Sequence, residues 1–113
     1  MQVSQTNVLH PTSATFDEQV GKSSLPVLVD FWAPWCPPCV ALKPVVQQLA
    51  GEVAGKARIA FVNVTDEPEL AERFGVTSIP ALMVVAQGAV VDSFVGYTPK
   101  EALLDHLRPH MPA

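Results

Sequence analysis

The sequence predicts one α/β domain, in which a central mixed β-sheet of about five strands is flanked by about four helices. Three observations predict this fold class: short, nearly continuous apolar segments, helical segments between them, and a tight turn that joins the last two strands. With 113 residues, the chain is long enough for a single hydrophobic core. We therefore treat residues 1–113 as one domain.

The strands are predicted from apolar segments rich in β-branched and aromatic residues. Residues 25–32, LPVLVDFW, have the pattern of a strand that is covered on both faces. The same pattern occurs at residues 57–64 and 81–86. Residues 89–95 follow the last of these across residues 87–88, a connection short enough for a β-hairpin.

Two helices are predicted in the first half of the chain. Thr15 and Glu18 have the spacing of a capping box in front of a short helix. Residues 38–49 carry apolar side chains at a mainly helical period. Pro44 lies inside that segment and predicts a kink, because proline cannot donate the backbone hydrogen bond expected there.

Two further helices are predicted in the second half. Residues 68–74 form a short helical segment that Gly75 closes as a C-cap. The last helix has Thr98 as N-cap, Pro99 at its first position and Glu101 two positions later. The resulting order is about β-α-β-α-β-α-β-β-α. Long βαβ connections indicate parallel neighbours, while the hairpin adds an antiparallel strand.

Composition and charge exclude several classes of protein. The chain is 49% hydrophobic and 16% charged, which is typical of a globular domain. Its net charge is −4 and it has no basic run, which argues against nucleic acid or a membrane surface as partner. The N-terminal residues have neither a basic leader nor an apolar stretch, and no segment approaches the roughly 18 apolar residues of a membrane span. We therefore expect a cytoplasmic protein.

The two cysteines lie in the segment WCPPC, residues 35–39. In a reducing compartment, such a pair is more often catalytic or metal-binding than structural. Cys36 lies where a helix begins, and Pro37 and Pro38 suit the first helical positions, where an N–H group lacks a partner. Residues three apart across a first turn have Cα atoms close enough for a disulfide. The pair can therefore form and break a bond with little backbone movement.

The position at a helix start also distinguishes the two sulfurs. The helix dipole and free N–H groups lower the pKa of a thiol at this end, which favours Cys36 as the attacking sulfur. We expect Cys36 to be exposed beside Trp35. Cys39 lies one turn inside the helix, so we expect it to be more buried and to remain a thiol.

Two other interpretations of the pair are less favoured. A disulfide across so few residues closes a small loop and stabilises the fold little. A zinc site needs about four ligands, but the chain offers two cysteines and three histidines. His106 and His110 are separated by the helix-breaking Pro109, and His10 is distant in sequence. We therefore expect no metal, and a pair of thiols that carries out redox chemistry.

Several separated motifs follow one another over residues 8–107: VLVDFWAPWCPPC, a proline-containing helix, TSIPAL, and an apolar hairpin with Gly88 and Gly96. Together, these motifs resemble the thioredoxin family. The resemblance implies the thioredoxin fold and a protein-disulfide reductase. It also implies no cofactor beyond the Cys36–Cys39 pair, thioredoxin reductase and disulfide-containing proteins as partners, and a monomer.

The resemblance also implies roles for individual residues. Cys36 would attack a target disulfide, Cys39 would resolve the mixed disulfide, and Asp30 would accept the proton of Cys39. Asp30 is a lone carboxylate in an apolar strand, and burial of a carboxylate raises its pKa. Pro80 would be a cis-proline facing the cysteines. The apolar docking surface would consist of Trp35, Ile79, Pro80, Val95 and Gly96, with the Ile79 backbone pairing to an extended substrate.

The chain departs from the family pattern at two positions. The family usually has Gly-Pro between the cysteines, where this chain has Pro37-Pro38. The additional proline removes an amide near Cys36, which weakens thiolate stabilisation, but it also pre-sets the turn of the disulfide form. The net shift in redox potential stays open. Phe61 replaces a common lysine, so we expect the Asp30 carboxyl to lack that cationic partner and to have a higher pKa than in the usual arrangement.

Two alternative functions use the same fold. A disulfide oxidase or isomerase would use the same cysteines at a higher redox potential. The absence of a leader argues against it, because such oxidants work in secretory or periplasmic compartments. A redox-inert binding subunit is the other alternative, since fold alone does not determine function. Paired cysteines beside a buried acid argue against that alternative.

Overall fold

The computed structural model describes residues 7–113. The first six residues, which the single-domain and leader predictions include, lie outside the described residues. The strands are β1 (Val8–Leu9), β2 (Val27–Trp32), β3 (Arg58–Asn63), β4 (Ala81–Ala86) and β5 (Ala89–Val95). The helices are α1 (Asp17–Gly21, wound as a π-helix), α2 (Pro37–Glu52), α3 (Pro68–Arg73) and α4 (Lys100–Leu107), followed by a 3₁₀ turn, Arg108–His110.

The five strands form one mixed sheet in the order β1-β3-β2-β4-β5. Strands β1 and β2 run parallel to β3, whereas β4 is antiparallel to both β2 and β5. This arrangement confirms the predicted mixed sheet and places β2 at its centre. The fifth strand is the two-residue β1, whose bounds were not predicted.

Two hydrophobic cores cover the two faces of the sheet. On one face, helices α2 and α4 pack through residues such as Leu42, Leu49 and Leu103. On the other face, α1 and α3 pack through Val20 and Leu70. Burial on both faces explains why β2 is almost continuously apolar. Within residues 7–113, no helix combines the length and hydrophobicity needed to cross a membrane.

Two predicted helix starts are wrong. The hydroxyl of Thr15 accepts a hydrogen bond from the N–H of Thr12 (2.8 Å), which precedes it in the chain. It therefore does not cap the helix that follows, and no capping box forms. Helix α4 begins at Lys100 rather than Pro99, because Pro99 is extended (φ −62°, ψ 154°) and occupies the N-cap position. The Thr98 hydroxyl, predicted to be the cap, donates instead to the Gly96 carbonyl (3.1 Å).

Other local predictions are confirmed. Helix α3 ends with Gly75 in the left-handed region (φ 67°), and the Val76 N–H donates to the Ala71 carbonyl (2.9 Å). This pattern is the Schellman motif, in which glycine avoids the steric penalty of a positive φ. The β4–β5 turn has positive φ at both central residues, Gln87 (52°) and Gly88 (81°). Such a turn matches the twist of the two strands it joins.

Candidate active site

The junction of β2 and α2 positions the two cysteines. Cys36 is the N-cap of α2 with extended backbone (φ −107°, ψ 103°), and Pro37 and Pro38 occupy the first two helical positions. This confirms the predicted helix start. The Cα atoms of Cys36 and Cys39 are 5.2 Å apart, and the two sulfurs are joined in a disulfide. The structure therefore contains the oxidised form of the pair.

The cysteines differ in burial from the prediction in one respect. Cys39 is fully buried, as expected, but Cys36 is also buried, with 6% of its surface exposed. Its sulfur is bonded to Cys39 and lies 3.8 Å from the Ile79 carbonyl oxygen, and these contacts cover it. The prediction that Cys36 is exposed is therefore wrong for the oxidised form. Trp35 is 67% exposed, and its indole N–H donates to the Thr65 hydroxyl (3.0 Å).

The Ile79-Pro80 peptide bond is cis, which confirms the conformation implied by the resemblance. Ile79 packs against the two cysteines from the loop that leads into β4. The Pro80 carbonyl accepts a hydrogen bond from the Gly96 N–H (2.8 Å), which ties the end of β5 to this loop. The structure thus brings Ile79, Pro80 and Gly96 together beside the disulfide.

The surface beside this loop is apolar and exposed. Val95, at the end of β5, is 65% exposed. Two further exposed apolar side chains directly follow residues of the predicted set: Val40 follows Cys39, and Tyr97 follows Gly96. Neither Val40 nor Tyr97 was predicted as part of the apolar docking surface, although each is the sequence neighbour of a predicted site residue.

Asp30 lies in the middle of β2 and is fully buried. It is in register with Phe61 of β3 and Leu82 of β4, so both flanking strands present apolar side chains. Neither carboxylate oxygen has a hydrogen-bond partner. Desolvation raises the pKa of Asp30 from 3.8 to about 7, while the charge of Lys43 acts in the opposite direction. The expected burial and raised pKa are confirmed.

Asp30 has a cationic neighbour that was not predicted. Phe61 supplies no charge, as expected, but Lys43 of α2 lowers the pKa of the carboxyl. The Lys43 ammonium lies 3.9 Å from the centroid of the Trp32 ring and 5.6 Å from that of Phe61. The sequence did contain a signal: Lys43 is four residues after Cys39 and therefore lies on the same helical face.

The histidines do not gather around the cysteines. Nδ1 of His106 lies 2.5 Å from Oδ2 of Asp92 in β5, and its ring stacks on Phe94 with centroids 3.8 Å apart. Within residues 7–113, no cluster of at least three His, Cys, Asp or Glu side chains could hold a metal ion. His106 therefore attaches α4 to the edge strand.

Comparison with known proteins gives consistent matches over most of the chain. The family model described as Thioredoxin matches residues 7–109. The chain is 44% identical over 100 residues to Thioredoxin 1 of Synechococcus elongatus, covering 88% of this chain and 94% of that protein. It is 43% identical over 106 residues to Thioredoxin of Haemophilus influenzae, covering 94% and 99% of the two chains. With Thioredoxin of Pyropia yezoensis, the identity is 40% over 105 residues, covering 93% and 98%.

Proposed function

The chain belongs to the thioredoxin family, and on this premise we propose that it reduces disulfides in other proteins by oxidising its own Cys36–Cys39 pair. The observation that carries the proposal is a closed disulfide at the start of α2, on the sheet face that buries Asp30. The mixed sheet with four helices is the thioredoxin fold. Proteins of this family need no cofactor beyond this disulfide.

The first step is an attack by the reduced protein. The Cys36 thiolate attacks one sulfur of the target disulfide, which forms a mixed disulfide and releases the other target sulfur as a thiolate. The position of Cys36 at the start of α2 favours its thiolate. Pro37 and Pro38 contribute no N–H groups there, so fewer amides stabilise the charge than non-proline residues would supply.

The second step releases the target. Cys39 transfers its proton to Asp30 and then attacks the Cys36 sulfur, so that the second target sulfur leaves. The two cysteines lose two electrons and the target disulfide gains them, giving the oxidised pair seen in this structure. An acid with a pKa of about 7 is suited to this exchange, because it accepts and returns a proton near neutral pH.

Substrate docking uses the apolar surface beside the disulfide, formed by Trp35, Ile79, Pro80, Val95 and Gly96. The Ile79 carbonyl lies 3.8 Å from the Cys36 sulfur, so an extended target segment that pairs with this backbone would bring its own sulfur close to Cys36. Exposed apolar residues favour targets with apolar segments around the disulfide.

Regeneration of the dithiol requires two electrons from another protein. We propose that thioredoxin reductase supplies them, and that the chain works in the cytoplasm as a monomer of one domain with no nucleic-acid or membrane partner. A net charge of −4 without a basic run agrees with the proposed lack of a nucleic-acid or membrane partner. The targets are disulfide-containing proteins.

The reduction potential of the Cys36–Cys39 pair tests the direction of electron flow. We expect a value near about −270 mV, which is typical of thioredoxins and low enough to drive reduction in the cytoplasm. The measurement equilibrates the protein with defined thiol–disulfide buffers and follows tryptophan fluorescence, since Trp35 directly precedes Cys36. A potential above about −200 mV would instead identify an oxidase or isomerase.

A charge on the docking surface should weaken binding of protein targets. For Val95→Glu, we expect KM for a protein disulfide to rise about tenfold with little change in kcat, because desolvating a carboxylate disfavours the complex. Turnover of a small disulfide should change little. The matched control is Val91→Glu, an exposed valine of the same strand outside this surface. An equal rise in KM for the control would contradict the assignment of Val95.

A further inference from the structure

Lys43 is held above the sheet face that contains Asp30. Its ammonium lies 3.9 Å from the Trp32 ring centroid and 5.6 Å from the Phe61 ring centroid. Trp32 is two residues after Asp30, so alternation along the strand places both side chains on one face. Phe61 is in register with Asp30 on the adjacent strand. The two rings that contact Lys43 therefore flank the buried carboxyl.

The aromatic rings hold the Lys43 charge without neutralising it. A cation over an aromatic face is attracted by the negative charge density of the ring. Among the ion pairs formed by residues 7–113, none includes Lys43. Its positive charge is therefore available to act through space on the Asp30 carboxyl, whose low-dielectric surroundings screen the interaction less than water would.

Other titratable groups near this face include Asp66 and Glu67, which line a surface pocket together with His10, Trp32 and Phe61. The side chains of β3 and β4 in register with Asp30 are apolar, and the α4 residues that pack here are leucines. His10 stacks on the Phe61 ring with centroids 6.1 Å apart. Glu52 of α2 and Lys100 of α4 pair with each other at 2.5 Å. Cys39, on α2, does not titrate in the disulfide form.

We propose that Lys43 is a positioning residue that sets the pH range in which Asp30 exchanges its proton with Cys39. It stands four residues after Cys39 on α2, and its charge favours the carboxylate that must accept the cysteine proton. Lys43 approaches the sheet face of Asp30 from α2, the helix that carries the cysteines, and its ammonium lies over the Trp32 ring. The proposal rests on the role of Asp30 proposed above.

The test is the titration of the Asp30 carboxyl in the oxidised protein, followed by ¹³C NMR, because the bonded cysteines do not titrate there. Lys43→Met removes the charge and keeps the aliphatic stem. We expect its titration midpoint to move to higher pH than that of the unmodified protein. Lys43→Arg should restore the midpoint, and the exposed Lys56→Met should leave it unchanged. Lys43→Gln serves as a second neutral variant.

The kinetic readout is the rate at which the mixed disulfide resolves as a function of pH. The rising limb of this profile should move to higher pH in Lys43→Met and return in Lys43→Arg. An unchanged NMR midpoint in both neutral variants, or an equal movement in Lys56→Met, would overturn the proposal. Failure of the proposed function would look different: the unmodified protein would reduce no disulfide, while the NMR midpoint could still respond to Lys43.

Discussion

Cys36→Ser is expected to reduce protein-disulfide turnover to the uncatalysed rate, a loss on the order of 10³ or more. The thiolate is the nucleophile in disulfide exchange, and a serine hydroxyl can neither attack the target disulfide nor form the mixed disulfide. The measurement is NADPH-coupled reduction of a protein disulfide with thioredoxin reductase as electron donor. Since Cys36 is the N-cap of α2, and serine is a favoured N-cap residue, the fold should be retained.

Cys39→Ser is the matched control for this experiment, because it leaves the attacking sulfur in place. We expect this variant to complete the first step and to accumulate a mixed disulfide, visible as a covalent adduct that a reductant removes. Turnover should also be lost, because nothing resolves the adduct. The opposite result, an adduct in Cys36→Ser and none in Cys39→Ser, would reverse the assignment of the two sulfurs.

The same pair of variants separates an enzyme from a redox-inert adapter. An adapter would keep its function in Cys36→Ser, since binding through an apolar surface needs no thiolate. The proposed docking residues Trp35 and Val95 are exposed and are not part of the disulfide. Full retention of function by Cys36→Ser would therefore favour the adapter and contradict the proposed reductase.

The strands, the spacing of the two cysteines and the burial of Asp30 were predictable because their signals are local. A strand buried on both faces needs apolar residues at nearly every position, so β2, β3 and β4 were predicted to within about two residues at each end. Cys36 and Cys39 are adjacent within one helical turn, so their spacing alone brings their Cα atoms to 5.2 Å. Asp30 was predicted as buried because a carboxylate interrupts an apolar strand.

What the sequence did not reveal depends on competition between local hydrogen-bond partners or on contacts between distant elements. The Thr15 hydroxyl accepts a hydrogen bond from the Thr12 N–H instead of capping α1. The spacing of Thr15 and Glu18 in the sequence does not show which of these local partners the hydroxyl takes. The cationic neighbour of Asp30 was sought at position 61, in register on β3. It comes instead from Lys43, whose long side chain reaches the Trp32 ring only once α2 packs on the sheet.

Asp30→Ala is expected to stabilise the oxidised protein at pH 8 by up to roughly 4 kcal/mol. Burial raises the pKa of Asp30 from 3.8 to about 7, and each unit corresponds to about 1.4 kcal/mol. Well below pH 3.8, the carboxyl is protonated in both the folded and unfolded states and contributes nothing to the difference in stability. As pH rises from about 4 to 7, only the unfolded state ionises, so the native protein loses stability, and the loss levels off above pH 7.

The measurement is guanidinium-induced unfolding of both oxidised proteins at pH 4 and pH 8. The gain of Asp30→Ala should be large at pH 8 and much smaller at pH 4, close to the unfolded-state pKa, where the small cavity left by the substitution opposes it. Asp66→Ala, at an exposed carboxylate, should show no comparable gain at pH 8. The same Asp30→Ala variant should resolve the mixed disulfide more slowly, because Cys39 loses its proton acceptor.

These two effects have one physical origin. A carboxylate without hydrogen-bond partners in the core destabilises the protein at neutral pH, and the same burial gives it a pKa of about 7, suited to proton exchange with Cys39. Asp30→Ala should therefore gain stability and lose rate together. A stability difference that is the same at pH 4 and pH 8 would show that Asp30 does not titrate in this range, and would exclude it as the proton acceptor of Cys39.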